Sequence, residues 1–236
     1  MGEGASRLAR ILQFGDSVFP IGGFSFSAGL ETAIQQRVVT DAQTLYAYTR
    51  TAVEQAALGD GIGLIWAHRA AQDDDIAQCE QINQLEHIDQ LVHARKLSGE
   101  TRLMSVRMGK KFNEMGAQIL GAPLLELWRE CITAGSTPGC YPVALGINFA
   151  VQGLPARDAF VVHQSGVATM ILGAALRLMR IDHVETQRML YRLNADVDAS
   201  YEAAAAAHLY EMAGFAPLTD ILAAAHVKAT VRLFMS

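Results

Sequence analysis

The sequence predicts an all-α protein that folds as one domain. Apolar residues recur every three or four positions along most of the chain, which is the spacing of one face of an α-helix. No stretch shows the alternation of apolar and polar residues typical of a half-buried strand, and no repeat or linker is evident. The chain has 236 residues, 51% of them hydrophobic, which is ample material for one core. We therefore expect a single domain over residues 1–236, a bundle of about nine or ten helices around a central apolar helix.

Local signals place the helices of the first half. Thr40 and Asp41 supply the polar start of a clear helix, and Ser27 is the expected N-cap of the helix that follows a glycine-rich segment. Glycines at positions 59, 61 and 63 are interpreted as a break between two helices. The predicted helices cover 6–14, a segment after Ser27, 41–58, 64–71 and 76–97.

The stretch from Glu100 to Leu120 is strongly helical. Met104, Met108, Met115 and Ile119 recur at helical spacing, which predicts a stripe that faces the core. Gly109 lies on a different face, where the lack of a side chain would allow another helix to cross closely.

The second half contains the candidate for the central helix. The stretch 158–179 is apolar nearly all round, as expected for a helix contacted on every side. Its most apolar part, 161–179, is marginal in length for a bilayer and contains His163 and Arg177, so we expect a buried helix and no membrane partner. The other predicted helices cover 124–133, 143–151, 182–207 and, as a helix or tail, 220–236.

Charge and cysteine content restrict the functional class. The net charge is −5 with no basic run, which argues against nucleic acid as a partner. Cys79, Cys131 and Cys140 are odd in number and lack framework spacing, which is typical of a reduced protein. The N-terminal residues also lack the pattern of a signal peptide, so we expect a cytoplasmic location.

The segment Leu12–Glu31 combines four glycines with four phenylalanines. A phosphate-binding loop would need a Gly-Lys-Ser/Thr end, whereas this segment has no lysine and carries Asp16, which would repel an anion. Two interpretations remain. The segment is a structural loop held down by its phenylalanines at positions 14, 19, 24 and 26, or it presents aromatic surface to a partner.

No catalytic or metal site is evident. The run Asp73–Asp75 lacks the second acidic motif that an aspartate-rich Mg²⁺ site needs, and it fits a solvated helix start. No pair of the seven histidines has the i, i+4 spacing of two metal ligands on one helix; they are His68, His87, His93, His163, His183, His208 and His226. We therefore expect no cofactor, no metal site and no catalytic residue, and favour a scaffold or binding protein over an enzyme.

Two alternatives stay open. The first is a small helical enzyme that uses Cys140 with a histidine, or a histidine site that converges in space. The second is regulation of a partner GTPase by an inserted arginine, for which Arg102, Arg107 and Arg177 are candidates.

Five segments, in order along the chain, resemble the urease accessory protein UreF family. The N-terminal signature is matched by Leu12, Asp16, Ser17, Phe19, Pro20, Gly22, Phe24, Ser27, Gly29, Leu30 and Glu31, with Phe14 and Phe26 as departures. Later matches are Glu100, Arg102, Ser105, Arg107 and Gly109, then Tyr141–Val143 with Gly146, then Arg177, Leu178 and Gln187. The tail is matched by Asp220, Ile221, His226, Arg232, Leu233 and Phe234, and departs from the family pattern at 223, 224, 227 and 229.

The resemblance implies a function that the residues alone do not. A UreF-like chain is an all-α homodimer that binds the accessory protein UreD, also called UreH, and through that complex the GTPase UreG. It acts as a scaffold, without catalysis of its own, in the delivery of nickel to apo-urease. The resemblance implies that the tail residues Asp220, Ile221, His226, Arg232, Leu233 and Phe234 contact UreD. We assign Arg102 and Arg107 to partner binding on the same basis.

Overall fold

The computed structural model describes residues 3–73, 75–213, 221–222 and 234. The helices of this part are α1 Glu3–Gly15, α2 Leu30–Gln35, α3 Ala42–Ala56, α4 Ile62–Ala71, α5 Gln78–Arg95, α6 Gly99–Leu120, α7 Pro123–Ala134, α8 Tyr141–Val151, α9 Ala156–Leu178, α10 His183–Leu193 and α11 Val197–Ala206. A π-helical turn, Ala57–Gly61, joins α3 to α4, and a 3₁₀ turn, Asn194–Asp196, joins α10 to α11. The eleven segments thus form nine continuous helical units. The all-α prediction is confirmed, and most of the predicted 220–236 helix or tail lies outside the described residues.

The helix starts show which capping predictions succeed. Asp41 is the N-cap of α3: its carboxylate accepts a hydrogen bond from the Thr44 N–H at 2.8 Å, and the Thr44 hydroxyl accepts one from the Asp41 N–H at 3.0 Å. The expected Ser27 cap is wrong, because α2 begins later, after Gly29 in a left-handed conformation with φ of 79°. Ser27 instead lies fully buried before that turn.

One predicted boundary is also wrong. The glycines at 59, 61 and 63 do not break the helix, since the chain continues through the π-helical turn into α4. A β-carbon at Gly61 would lie 2.5 Å from the Phe160 ring, and one at Gly63 would overlap Val92, so both positions are small because neighbouring helices approach closely. The predicted helix over 182–207 is confirmed, since the chain stays helical from His183 to Ala206 through the 3₁₀ turn at Asn194–Asp196.

The most completely buried helix of the bundle is α8. Residues 142–150 of α8 are all buried, and α4 and α6 flank this helix. The contact with α4 is close because Gly146 lies against the Leu64 carbonyl oxygen. By contrast α9 keeps one exposed face, with Val161 36% exposed. Even so, α9 holds a central position, since it packs against α1, α2, α3, α4, α8, α10 and α11. The predicted central apolar helix is confirmed, and only the expectation that it is contacted on every side is wrong.

The role of α9 is to join two hydrophobic clusters. Its first turns, with Phe160 and Val162, belong to the cluster around α8, whereas Ile171 and Leu172 belong to a second cluster shared with α2, α3 and α10. By length and composition alone α9 could cross a membrane, but more than half of its most apolar window is buried within the protein. A core helix passes the same test, which agrees with the expected buried helix.

For α6 the sequence predicts a core-facing methionine stripe and a close approach at Gly109, and only the second prediction is confirmed. The methionine stripe is not a core face: Met104 and Met108 are only partly buried, and Ile119 is 45% exposed. The buried face carries Gly109 and Phe112 instead. A β-carbon at Gly109 would overlap the Gly139 carbonyl oxygen, so the prediction of a close approach at Gly109 is confirmed.

Candidate functional site

The glycine- and phenylalanine-rich segment is held against α6 by an aromatic cluster. The Phe14 and Phe19 ring centroids are 5.1 Å apart, and they lie 6.0 Å and 5.2 Å from that of Phe112 on α6. Tilted and edge-on arrangements at these distances are favourable for aromatic rings. Phe14, Phe19 and Phe26 are all buried, which confirms the structural interpretation for these three; the side chain of Phe24 lies outside the described part.

The backbone of this segment is shaped by local hydrogen bonds and by glycine. The Asp16 carboxylate accepts a hydrogen bond from the Val18 N–H at 2.8 Å, which is the contact of an Asx turn. Gly22 has a φ of 79°, where a side chain would be strained. Asp16 therefore acts as a turn former here.

A cavity of about 490 Å³ lies beside the segment, between the end of α1, the start of α6 and the middle of α9. Its walls are mainly apolar, and Met104, Met108 and Met170 contribute three flexible thioether side chains. This volume lies in the range of small-molecule and side-chain binding cavities. Met104 and Met108, which the sequence assigned to a core stripe, thus line a cavity.

Three ionisable side chains lie together in this cavity. The Lys96 ammonium donates to both carboxylate oxygens of Asp60, at 2.6 and 2.7 Å, and the side chain of Lys96 is 12% exposed. His163 of α9 places its Nε2 atom 3.7 Å from the same carboxylate. Asp60 belongs to the π-helical turn between α3 and α4, a feature that often occurs at functional sites.

The charges of this cluster are settled by burial and by the ion pair. Burial lowers the pKa of His163 to about 4; Asp60 opposes this shift and Lys96 adds to it. The imidazole is therefore neutral at neutral pH. Burial acts to raise the pKa of Asp60, but Lys96 and His163 together outweigh it, so the pKa lies below its ordinary value. The cluster at neutral pH is one ion pair beside one neutral imidazole.

Tyr141 connects the cluster to the aromatic residues. Its ring stacks on the His163 imidazole, with centroids 6.0 Å apart, and its centroid lies 5.5 Å from that of Phe112. Burial raises the pKa of the Tyr141 phenol. The cavity thus pairs apolar walls with a phenol, an imidazole and an ion pair, a composition suited to binding a ligand that is largely apolar with one polar end.

Among the residues the structure describes, no group of three or more His, Cys, Asp and Glu side chains could hold a metal ion.

The structure contradicts a nucleophilic role for Cys140. Its side chain is fully buried in the core, and its Sγ atom lies 4.0 Å from the Asp89 carbonyl oxygen, with no histidine contact among the described residues. Burial, followed by Asp89, raises the pKa of the thiol, so it stays protonated. The Asp89 carboxylate accepts hydrogen bonds from the N–H groups of Gly139 and Cys140, at 2.6 and 2.8 Å. Cys140 is thus part of the buried start of α8.

The residues predicted to bind partners are spread over the surface and the tail. Arg102 donates to the Leu97 carbonyl at 3.3 Å, Arg107 is exposed on α6, and Ile221 is 62% exposed. Asp220, His226, Arg232 and Leu233 lie outside the described residues. Their roles stay predictions.

Phe234 packs against the N-terminal motif. It is buried, its N–H donates to the Glu31 carboxylate at 3.2 Å, and the Arg177 guanidinium lies 4.2 Å from the centre of its ring. Arg177, one of the candidates for an inserted arginine, also lines the cavity. The structure thus brings one tail residue and one motif residue into direct contact.

Sequence reasoning missed the ionisable cluster. Asp60, Lys96 and His163 lie on different elements, and none belongs to a recognisable spacing. Weak signals existed, because an acid inside a glycine run and a histidine in an apolar helix both need a partner when buried. Those signals identify the residues but not their contact.

Comparison with known proteins identifies the family. The family model for UreF matches residues 39–194. Urease accessory protein UreF 2 of Brucella canis is 53% identical over 229 residues, covering 97% of this chain and 92% of the relative. Urease accessory protein UreF 1 of Brucella melitensis is 52% identical with the same coverage. Urease accessory protein UreF of Yersinia enterocolitica is 46% identical over 230 residues, covering 98% of both chains. Because the similarity spans nearly the whole of each chain at such identity, this protein belongs to the UreF family of urease accessory proteins.

Proposed function

We propose that this protein is a cytoplasmic, homodimeric scaffold for nickel insertion into apo-urease, which bridges the accessory protein UreD (UreH) and the GTPase UreG. In this role it catalyses no reaction and positions the GTPase and its metal beside the target enzyme. The observation that carries the proposal is the near full-length similarity to relatives named as urease accessory proteins.

The surface around the N-terminal segment supports a role in protein binding. On α1, Leu8 and Leu12 are 56% and 63% exposed and lie one turn apart, and Val18 is 82% exposed just beyond the helix. An apolar stripe of this kind is typical of a surface that another protein covers. The aromatic cluster beneath it fixes the position of the stripe, so a partner would meet a preformed surface.

Co-purification tests the proposal. The full-length chain is co-expressed with tagged UreD and UreG homologues from the same source, and complexes are isolated through the tag and sized by gel filtration. We expect a complex that contains all three proteins and raises the nickel content of co-expressed urease. If the partners are separately folded and active but no complex forms, the proposal is wrong.

The tail provides a second test. We expect removal of residues 220–236 to weaken the UreD complex. Since the truncation also removes the Phe234 ring from the Arg177 guanidinium, a Phe234→Ala variant of the full-length chain serves as the control that removes this ring alone. A truncation that binds UreD as well as the intact chain would contradict the tail assignment. If Phe234→Ala alone reproduces the loss, the Phe234 ring carries the contribution of the tail.

A further inference from the structure

A second groove lies away from the cavity, between α3 and α10, and has a volume of about 610 Å³. We call it the α3–α10 groove. The residues that characterise it are Tyr46 and Arg50 on α3, and Glu185, Arg188, Met189 and Arg192 on α10. The buried Met189 and the partly buried Tyr46 give it an apolar base.

The charge of the groove is opposite to that of the whole chain. Its lining contains three arginines and one carboxylate, that of Glu185, whereas the protein has a net charge of −5. Arginine is the side chain best suited to pairing with carboxylates, because its planar fork can donate two parallel hydrogen bonds. A local basic groove on an acidic protein therefore favours an acidic occupant.

The three arginines are differently engaged. Arg192 lies 4.2 Å from the centre of the Tyr46 ring, which holds its guanidinium in the groove. Arg50 lies 3.5 Å from Glu54, but both side chains are more than half exposed, so this pair is weak. Arg188 is exposed and makes no ion pair within the ranges that the structure describes. At least one guanidinium is thus available, and a second can exchange its partner.

The exposed face of α10 extends this surface. Val184 and Tyr191 are 59% and 82% exposed, and they lie four residues before and three residues after Arg188, so all three share one helix face. Exposed tyrosine beside arginine is the composition of interface residues that dominate binding energy. An occupant would therefore contribute apolar side chains as well as acids.

We propose that the α3–α10 groove binds an acidic segment of a partner protein. Carboxylates of that segment pair with Arg50 and Arg188 across the groove, and an apolar side chain of the segment packs on Tyr191 and Val184. The proposal concerns this surface alone and holds whichever accessory proteins the chain bridges. A nucleic acid is the less favoured occupant, since the net negative charge of the chain would repel a phosphate backbone.

The test measures binding of a fluorescein-labelled glutamate-rich peptide to the full-length protein by fluorescence anisotropy at low and moderate salt. A labelled oligothymidylate of equal net charge is the second probe. The variants are Arg188→Glu and Arg50→Glu, one from each wall. Lys110→Glu is the matched control, because Lys110 is exposed on α6 and the substitution changes the net charge by the same amount. Thermal unfolding of each variant verifies that it is folded.

We expect each arginine reversal to weaken peptide binding about tenfold, which corresponds to about 1.4 kcal/mol. Lys110→Glu should leave it within about twofold. Equal binding by the arginine variants and the unchanged protein would overturn the proposal. So would an equal loss with Lys110→Glu, or tighter, arginine-dependent binding of the oligothymidylate. Co-purification with UreD and UreG is scored separately, so its failure leaves this result unaffected.

Discussion

Replacement of Lys96 by methionine tests whether the ion pair in the cavity is structural. The change keeps an apolar stem of similar length but leaves the Asp60 carboxylate without its counter-ion. Breaking a buried pair by removing one partner typically costs about 3–5 kcal/mol, because a charge is left buried and unpaired. Here the Asp60 side chain is 24% exposed, so water relieves part of the penalty, and we expect a loss of about 3 kcal/mol in the free energy of unfolding.

A double-mutant cycle supplies the sharper measurement. Asp60→Asn and Lys96→Met are made singly and together, and the free energy of unfolding is measured by urea titration. The double variant removes both charges, so we expect it to recover about 2 kcal/mol relative to the sum of the single losses. Lys111→Met is the control, since its pair with Glu114 is 43% and 45% exposed and should contribute less than about 0.5 kcal/mol.

The neighbouring imidazole reports on the same cycle. Lys96 helps to lower the pKa of His163 whereas Asp60 acts to raise it, so Lys96→Met should move that pKa upward from about 4. The titration of the imidazole can be followed by NMR. A loss below about 1 kcal/mol for Lys96→Met, with additive single changes and an unmoved His163 titration, would refute the assignment of a buried, coupled cluster.

Three further outcomes are expected. The pKa of His163 is about 4 in the folded chain and 6.5 ordinarily, so between pH 4 and 6.5 the unfolded chain binds a proton that the folded chain does not. The free energy of unfolding should therefore fall by about 1.4 kcal/mol per pH unit as the pH is lowered through this window. Urea titrations across it should show a shallower fall for His163→Gln, and equal slopes would contradict the burial of a neutral imidazole. Gly109→Ala should destabilise by at least about 2 kcal/mol, since the new methyl group meets backbone atoms, whereas Gly166→Ala, with no atom within 4 Å, should leave the thermal midpoint unchanged or higher. Phe112→Ala should cost about 4 kcal/mol in the same measurement by opening a cavity beside Phe14 and Phe19, and a loss below about 1 kcal/mol would show that this cluster does not stabilise the fold.

Local signals in the sequence were sufficient to predict a helix end where the residues that cap it lie close together in the sequence. Asp41 and Thr44 lie three positions apart and cap each other, so the start of α3 could be predicted. The glycines at 59, 61 and 63 were ambiguous, because a glycine that ends a helix and one that admits a neighbour look alike. The difference lies in Phe160 and Val92, which are distant in sequence and approach only in the folded chain.

The site was predictable in part for the same reason. The composition of the N-terminal segment allowed aromatic anchoring as one of two interpretations, and the burial of Phe14, Phe19 and Phe26 in the structure decides for it at these three positions. The ionisable cluster did not follow, because Asp60, Lys96 and His163 come from separate elements. The methionines of α6 were wrongly assigned to the core face. The core face is the one on which the backbone at the start of α8 lies against Gly109, and this close contact requires a residue without a side chain, which an apolar stripe does not predict.

The contact between Phe234 and Glu31 has a consequence for biosynthesis. The two residues are 203 positions apart, so the hydrogen bond cannot form until the ribosome has translated nearly the whole chain. At ordinary elongation rates this delay is about 10–40 s after the motif is made. Throughout that interval the Glu31 carboxylate lacks the Phe234 N–H that it binds in the finished protein, so this end of the N-terminal motif reaches its final contacts last.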